Sequence, residues 1–373
     1  MTHLAEIHPY PQETSELGPG GPSVLLLNNY PSTGIGDFGL GLAMKWRKEN
    51  CKFSLCETTL DYKTFLKQVV MIAMSSSPMI TNIGLTGWGN SGIRNGIGYL
   101  AIGIHQGLGR KTVAIVHHSI ETFSEGETGY HVGLLTRKGA HDALRFLRNC
   151  NVVVFDRRLE TILREQYGIV PSLVTAIPCN VCERPPVWNS SLPVVITVGY
   201  WAPYKGMNLF IDVAAKLRNK ARFIMAGKPH RILAEDSEFK EEVSRLKARG
   251  KELGIEMPGY LPKDHISRIL SEHSIGLLPY TSASGTSASF SLLAERGVPV
   301  VTTDLPEFRY LSKLGAGVVL SEPNPESISD AIDDLLSNRV HWEELVRRQV
   351  EFSKSYSWDS FVKRIRIILE NSA

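Results

Sequence analysis

The sequence predicts an α/β protein built from two Rossmann-like domains that face each other across a cleft, and three observations carry that prediction. Short apolar, β-branched runs alternate with segments of helical periodicity along most of the chain, the pattern of parallel strands covered by crossover helices. Near the middle, "ERPPVWNSSLP" (183–193) sets three prolines among polar residues, which makes a stiff connection rather than an element. The same alternation then restarts. With 373 residues, 43% hydrophobic and 21% charged, the chain has material for about two cores.

In the first half, "SVLLLNNY" (23–30), "KFSLCET" (52–58), "TVAIVHH" (112–118) and "NVVVFD" (151–156) are continuous enough to be strands buried on both faces. "FGLGLAMKWRKEN" and "AHDALRFLRN" repeat apolar residues at helical spacing. In the second half strands are expected at "PVVITVGY", "ARFIMAG", "IEMPGY", "SIGLLPY" and "VPVVTTD". Helices are expected at "KGMNLFIDVAAKLRNK", "EFKEEVSRLKARGKELG", "KDHISRILSEH", "SFSLLAERG" and "ESISDAIDDLLSN". This divides the chain into an N-terminal domain over 1–188 and a C-terminal domain over 189–356. A last amphipathic helix over 357–373, with Ser357 and Asp359 available for capping, is expected to pack back onto the first domain. Ligands in such sheets sit at the carboxyl ends of the strands.

Composition excludes little else. A net charge of +3 is far from that of a dedicated nucleic-acid binder. Nothing before Val24 has the pattern of a signal peptide, and no run reaches the roughly 20 apolar residues of a membrane span, so a cytoplasmic location is the expectation. The five cysteines (Cys51, Cys56, Cys150, Cys179, Cys182) do not read as a secreted disulfide framework. Cys179 and Cys182 form a C-x-x-C, but no second pair or spaced His completes a zinc set, and no metal is expected.

Three segments can carry chemistry. "GIGDFG", with Gly34, Gly36 and Gly39, formally satisfies G-x-G-x-x-G, and Glu57 follows about twenty residues on, as in a dinucleotide fingerprint. The lead-in "NNYPST" is longer than that turn allows. A glycine-rich helix start still offers N–H groups to an anion or sugar, and a turn needed only for close packing is the plain alternative. In "VGYWAPYKGMNLF", Gly199 ends a strand and Lys205 and Gly206 open a helix, which brings an ammonium and a helix N-terminus to one sheet edge. In "GLLPYTSASGTSASF", a strand runs into Gly285, Thr286, Ser287, Ala288 and Ser289, with Glu295 further along the helix. Small residues admit a diphosphate closely, and a carboxylate can accept two sugar hydroxyls. A Glu that simply points outward is the alternative.

Taken in order, these pieces resemble the retaining glycosyltransferases of family 4, the group 1 glycosyltransferases with a GT-B fold. "VGYWAPYKGMNLFIDVAAKL" resembles that family's G-R-x-x-x-x-K-G segment, and "SIGLLPY…SFSLLAERGVPVVTTDLPEF" its P-S…E-x7-E…G-x-P-V-V segment. "AIVHHS", "AIPCNV", "FIMAG" and the late "YSW" have counterparts as well. The resemblance implies a UDP- or GDP-sugar donor with no further cofactor, and a hydroxyl acceptor that is a glycan, a lipid-linked sugar or a small molecule. It also implies a leaving diphosphate that assists the transfer; separately, one basic face of the chain could attract an anionic lipid surface and give peripheral membrane contact. It carries Gly34, Gly36 and His117 to the acceptor and transferred sugar, Lys205 to the diphosphate and Glu295 to the ribose. Two positions depart from the pattern: Tyr200 stands where the family has Arg, and Ser287 stands eight before Glu295 where it has Glu. A GT-B subunit that binds without catalysing, and an NAD-dependent oxidoreductase built on "GIGDFG" and Glu57, are the other two expectations. "GLTGWGNSGIRNGIGY" contains Trp88, Asn90 and Arg94, which can line an acceptor pocket or simply an exposed loop.

Overall fold

The computed structural model describes residues 24–28, 34–48, 53–57, 62–83, 101–117, 146–189, 192–230, 233–282 and 287–371. Strand β1 (Val24–Asn28) shows why its sequence is apolar at successive positions. Leu25 and Leu27 enter one core, while Val24 and Leu26 enter another on the opposite sheet face. A strand covered by helices on both sides has no solvent face to make polar. Strand β7 (Val194–Val198) repeats the device, with Val195 in one core and Val194, Ile196 and Val198 in the other.

Two six-stranded parallel sheets result. The first holds β1, β2 (Phe53–Glu57), β3 (Met79–Ile83), β4 (Thr112–Val116), β5 (Asn151–Val154) and β6 (Leu173–Val174), in the order β2-β1-β3-β4-β5-β6. The second holds β7, β8 (Arg222–Ala226), β9 (Glu256–Gly259), β10 (Ser274–Leu278), β11 (Val300–Thr303) and β12 (Val318–Ser321), in the order β12-β11-β10-β7-β8-β9. In the second sheet the chain builds outward from β7 in one direction and from β10 in the other. The crossovers on either side of that junction leave in opposite directions, so a crevice opens at the carboxyl ends of β7 and β10.

Helices α1 (Gly34–Lys48), α2 (Tyr62–Met74), a helical run over 101–107 and α3 (Arg157–Tyr167) accompany the first sheet. Helices α4 (Met207–Leu217), α5 (Ser237–Glu252), α6 (Lys263–Ile269), α7 (Ala288–Ala294), α8 (Pro306–Lys313), α9 (Pro325–Ser337) and α10 (Arg339–Ser355) accompany the second. The final helix, α11 (Trp358–Asn371), returns to the first sheet. Its Phe361, Val362, Ile365 and Leu369 share a core with Val24, Phe38 and Trp46. Ser357 Oγ accepts the Ser360 amide at 3.2 Å, and Asp359 pairs with Lys45 of α1 at 3.3 Å.

Several elements differ from the sequence reading. Strand β3 is absent from the predicted list because Thr81 and Asn82, both fully buried, interrupt its apolar run. The helix expected over 140–149 is, in its described part, a 3-10 turn over Phe146–Asn149. Helices α8 and α10 were also not predicted, although α10 buries Trp342, Leu345, Val346 and Phe352 at helical spacing. Gln349 stands on the same face, and its Oε1 accepts the Gly317 amide at 2.7 Å. Among the described residues no helix is long and apolar enough to cross a membrane.

Candidate functional site

The second sheet's crevice is built from backbone that only glycine can supply. After β7, Gly199 adopts φ 110°; a Cβ there would lie 2.7 Å from Ser289 Oγ and 3.4 Å from Lys205 Nζ. A 3-10 turn over Pro203–Lys205 then leads to Gly206, at φ 66°. A Cβ on Gly206 would sit 1.8 Å from the Pro279 carbonyl oxygen, so the loop after β7 touches the end of β10 only because that atom is missing. The Thr281 amide donates to Tyr204 O at 2.8 Å, and the Trp201 amide to Lys228 O at 2.8 Å. The loops after β7, β8 and β10 are thereby fastened to one another around the junction.

Lys205 stands at the centre of this junction. Its Nζ donates to Ser289 Oγ at 3.2 Å, and that hydroxyl donates on to Val198 O at 2.7 Å. The same Nζ lies 5.2 Å from the centre of the Tyr280 ring. Burial works against the charge, but the phenols of Tyr280 and Tyr204 outweigh it and hold the ammonium above the usual lysine range. Burial, reinforced by the Lys205 charge, holds His230 below the usual histidine range. A fixed cation beside a neutral imidazole, at the carboxyl edge of a parallel sheet, suits a phosphate-bearing ligand.

Around Lys205 the structure assembles some of the residues singled out in the sequence and not others. Gly199, Lys205 and Ser289 touch one another as described. Ser287 is the N-cap of α7, its Oγ accepting the Phe290 amide at 3.2 Å and lying 2.9 Å from the Tyr280 hydroxyl. Ala288, exposed, is the first residue of α7. Gly285 and Thr286 lie outside the described residues, as do Trp88, Asn90 and Arg94. Tyr200 is 42% exposed and sets its ring edge-on to His230 at 5.5 Å.

Glu295 is the C-cap of α7, and a crossover helix that starts at the carboxyl edge of β10 must end toward the amino end of β11. Its Oε1 pairs with Arg296 at 2.6 Å, and its Oε2 accepts from Asn180 Nδ2 at 2.8 Å. The carboxylate therefore ties α7 to the connection between the two sheets.

In the first domain, Gly34 opens α1, so Gly36 and Gly39 lie within the helix rather than in a loop before it. Partial burial holds Asp37, in that first turn, above the usual carboxylate range, against the pull of Lys263 at the start of α6. His117 follows β4 and is buried; its Nε2 lies 2.7 Å from Asn82 Oδ1. Phe38 and Phe155 stand 4.8 and 5.0 Å from its ring. The dinucleotide partner Glu57 ends β2, with its side chain outside the described residues. Cys179 and Cys182 are free and buried, and burial pushes the Cys179 thiol up to about 12, which keeps it protonated and unreactive.

A second cluster of titratable groups lies where α3 packs against α8. Asp156 caps α3 through Oδ1, which accepts the Leu159 amide at 2.7 Å. Glu307 lies in the first turn of α8 and is 4% exposed. Asp156 Oδ2 and both Glu307 carboxylate oxygens have no hydrogen-bond partner among the described residues. Burial pushes Glu307 up to about 7, and the Asp156 charge adds to the shift. Neither residue was singled out from the sequence.

Two parallel sheets joined by a linker, with a basic site at the switch point of the second, define a GT-B protein. HepE of Anabaena, crystallised with UDP and glucose, superposes with a TM-score of 0.69 at 12% identity, over 94% of this chain and all of that one. Sucrose-phosphate synthase of Thermosynechococcus elongatus superposes with a TM-score of 0.70 at 12% identity, over 94% and 98% of the two chains. An uncharacterized glycosyltransferase of Methanocaldococcus jannaschii is 25% identical over 178 residues. That match covers 46% of this chain and 46% of the relative, about half the relative's length. Residues 183–355 match the family model of glycosyl transferases group 1.

Proposed function

We propose that the protein is a retaining glycosyltransferase that moves a hexose from a UDP- or GDP-sugar to a hydroxyl acceptor. The observation that carries this reading is the Lys205 ammonium, held on Ser289 at the β7–β10 junction with Gly199 and Gly206 clearing the approach. As the bond from sugar to phosphate breaks, negative charge grows on the departing diphosphate, and a cation already in place stabilises it without reorganising. On this reading the diphosphate oxygen freed by bond breaking accepts the acceptor proton on the same face, so no carboxylate of the protein needs to act as nucleophile. His117, fixed by Asn82, and the glycine start of α1 with Gly34 and Gly36 are assigned to the acceptor side, where alignment lowers the barrier further. On the same reading Ser287 and Ala288 at the start of α7 are assigned to the donor side, with Gly285 and Thr286 before them in the sequence. No D-x-D sequence occurs, and the reading assigns no cofactor beyond the nucleotide sugar.

A panel of UDP- and GDP-sugars, scored by release of the nucleoside diphosphate, tests this directly. Release from at least one donor is the expected result. Stabilisation by NADH and by no nucleoside diphosphate would instead identify an oxidoreductase, and nucleotide binding without release from any donor would identify a binding subunit.

One surface favours an acceptor presented at a membrane. Helix α2 exposes Leu66, Val70 and Met74, the last two at 61% and 71%, and Ile104 in the next helical run and Leu108 just after it are exposed as well. Arg110 joins the two elements by donating to Ala73 O at 3.0 Å. Residues 62–74 and 101–111 contain no Asp or Glu, while Lys63 and Lys67 are exposed, so the patch complements an anionic lipid surface. Flotation with vesicles containing phosphatidylglycerol, lost in a Val70→Asp/Met74→Asp double variant, is the expected result. Absence of flotation with those vesicles would remove the membrane from the proposal.

A further inference from the structure

A polar pair sits inside the apolar core at the carboxyl edge of the first sheet. Side chains alternate along a strand, so Asn82 lies on the face of β3 that carries Ile80, and His117 on the face of β4 that carries Val113 and Ile115; those three apolar residues belong to one core. Both members of the pair are buried. Phe38, near the start of α1, and Phe155, just after β5, wall the imidazole with ring centres 4.8 and 5.0 Å away. Phe361 of α11 backs both of those rings, at 5.8 and 5.9 Å. Burying polar side chains among such residues costs stability unless they are hydrogen-bonded, and here His117 Nε2 lies 2.7 Å from Asn82 Oδ1. The sheet makes the pairing rigid: Asn82 pairs with Ile115 and Ile83 with Val116, so the residue just before His117 is fixed to the strand that carries the amide.

That one bond decides where the proton of the neutral imidazole resides. An amide oxygen only accepts, so Nε2 must be the donor and carry a hydrogen. A neutral imidazole has a single N–H, which places the lone pair on Nδ1. Nδ1 is therefore the atom through which the ring takes up and gives up its proton. A hydrocarbon side chain at position 82 would remove this constraint on the tautomer.

We propose that Asn82 is the positioning residue for His117: its amide oxygen holds the ring in the Nε2–H tautomer, so that Nδ1 is the basic atom His117 brings to the transfer. This deepens the assignment of His117 to the acceptor side made above and rests on it. Asn82→Asp keeps the shape of the side chain and its acceptor oxygen and adds a negative charge, whereas Asn82→Leu keeps the branching and removes the acceptor.

The experiment combines long-range proton–nitrogen NMR of the imidazole nitrogens with turnover, both followed across pH in the parent, Asn82→Asp and Asn82→Leu. The His117 signals are identified by their loss in His117→Gln, and turnover is the release of nucleoside diphosphate from a donor the parent accepts. In the parent the neutral ring is expected to show a protonated Nε2 and an unprotonated Nδ1. In Asn82→Asp the ring is expected to titrate about one pH unit higher, because the added carboxylate favours the imidazolium. The limb of the pH–turnover curve that follows the ring should move with it, so that Asn82→Asp recovers the parent's turnover at the correspondingly higher pH. In Asn82→Leu the preference for Nε2–H should be lost and turnover should fall about tenfold, the worth of one hydrogen bond. The parent and Asn82→Asp decide the matter by themselves should Asn82→Leu not fold. A neutral parent ring protonated on Nδ1 would overturn the proposal, as would a pH–turnover curve that stays in place while the ring titration moves in Asn82→Asp. A parent that releases nucleoside diphosphate from no donor would overturn the functional reading, and the NMR result would then decide the tautomer assignment alone.

Discussion

Replacing Lys205 with alanine is expected to lower sugar release at least about a hundredfold, the range found when a single preorganised charge donor is removed from a transition state. The lysine is the cation that the second sheet holds at its junction, where its side chain donates to Ser289. The truncation leaves the αL turn at Gly206 and the core contacts of Phe210 and Ile211 untouched, so circular dichroism and melting temperature should stay close to the parent's. The variant carries its own internal check in His230. The Lys205 charge contributes to holding that imidazole below the usual histidine range, so its titration, followed by NMR, should move upward in Lys205→Ala. Full turnover in the variant would remove Lys205 from the mechanism whatever His230 does. Arginine would not restore the parent rate, because a planar fork cannot take the place of a point charge on Ser289.

Glu307→Gln is expected to make the protein more stable at neutral and alkaline pH and to flatten its dependence on pH. The buried Glu307 carboxyl is raised from 4.5 to about 7, so the folded chain holds a proton there that the unfolded chain has already lost. Its contribution is fully present below about pH 4.5 and is lost as pH rises through about 7, a change of about 3 kcal/mol over that window. Asp156, raised by its own burial, acts in the same sense. His105, His230 and His273, all lowered first by burial, act in the opposite sense below about pH 6.5. The effect is therefore read as the difference between parent and variant, by urea denaturation at pH 5, 6, 7 and 8. The two curves should converge at pH 5 and separate by pH 8, with the variant above. Parallel curves would mean that Glu307 does not titrate in this range.

Much of the second domain was legible because its signals are local. Strand β7 is an unbroken apolar run, α4 carries Met207, Phe210, Ile211, Ala214 and Leu217 at helical spacing, and between them stand the two glycines the junction requires. Lys205 next to Gly206 could be singled out for the same reason: a cation, a flexible turn and a helix start occupy consecutive positions. The partners of Glu295 could not be read the same way: spacing puts it two turns from Ser287, at the far end of α7, where its carboxylate meets Asn180 from a distant part of the chain.

What the sequence determined by itself is the class of the fold and the meeting of a lysine with two glycines at one sheet edge, because strand and helix periodicity and a glycine–lysine turn are written in neighbouring residues. Tyr280 beside Lys205, Asn82 against His117, and Asp156 opposite Glu307 were decided only by the tertiary structure. Each of those pairs joins different strands or loops, 75, 35 and 151 positions apart by their numbers, and strand order is set by the summed packing of both sheet faces rather than by any local pattern. The same holds for their chemistry: a carboxyl or phenol acquires an unusual proton affinity from what surrounds it after folding, and those surroundings are non-local.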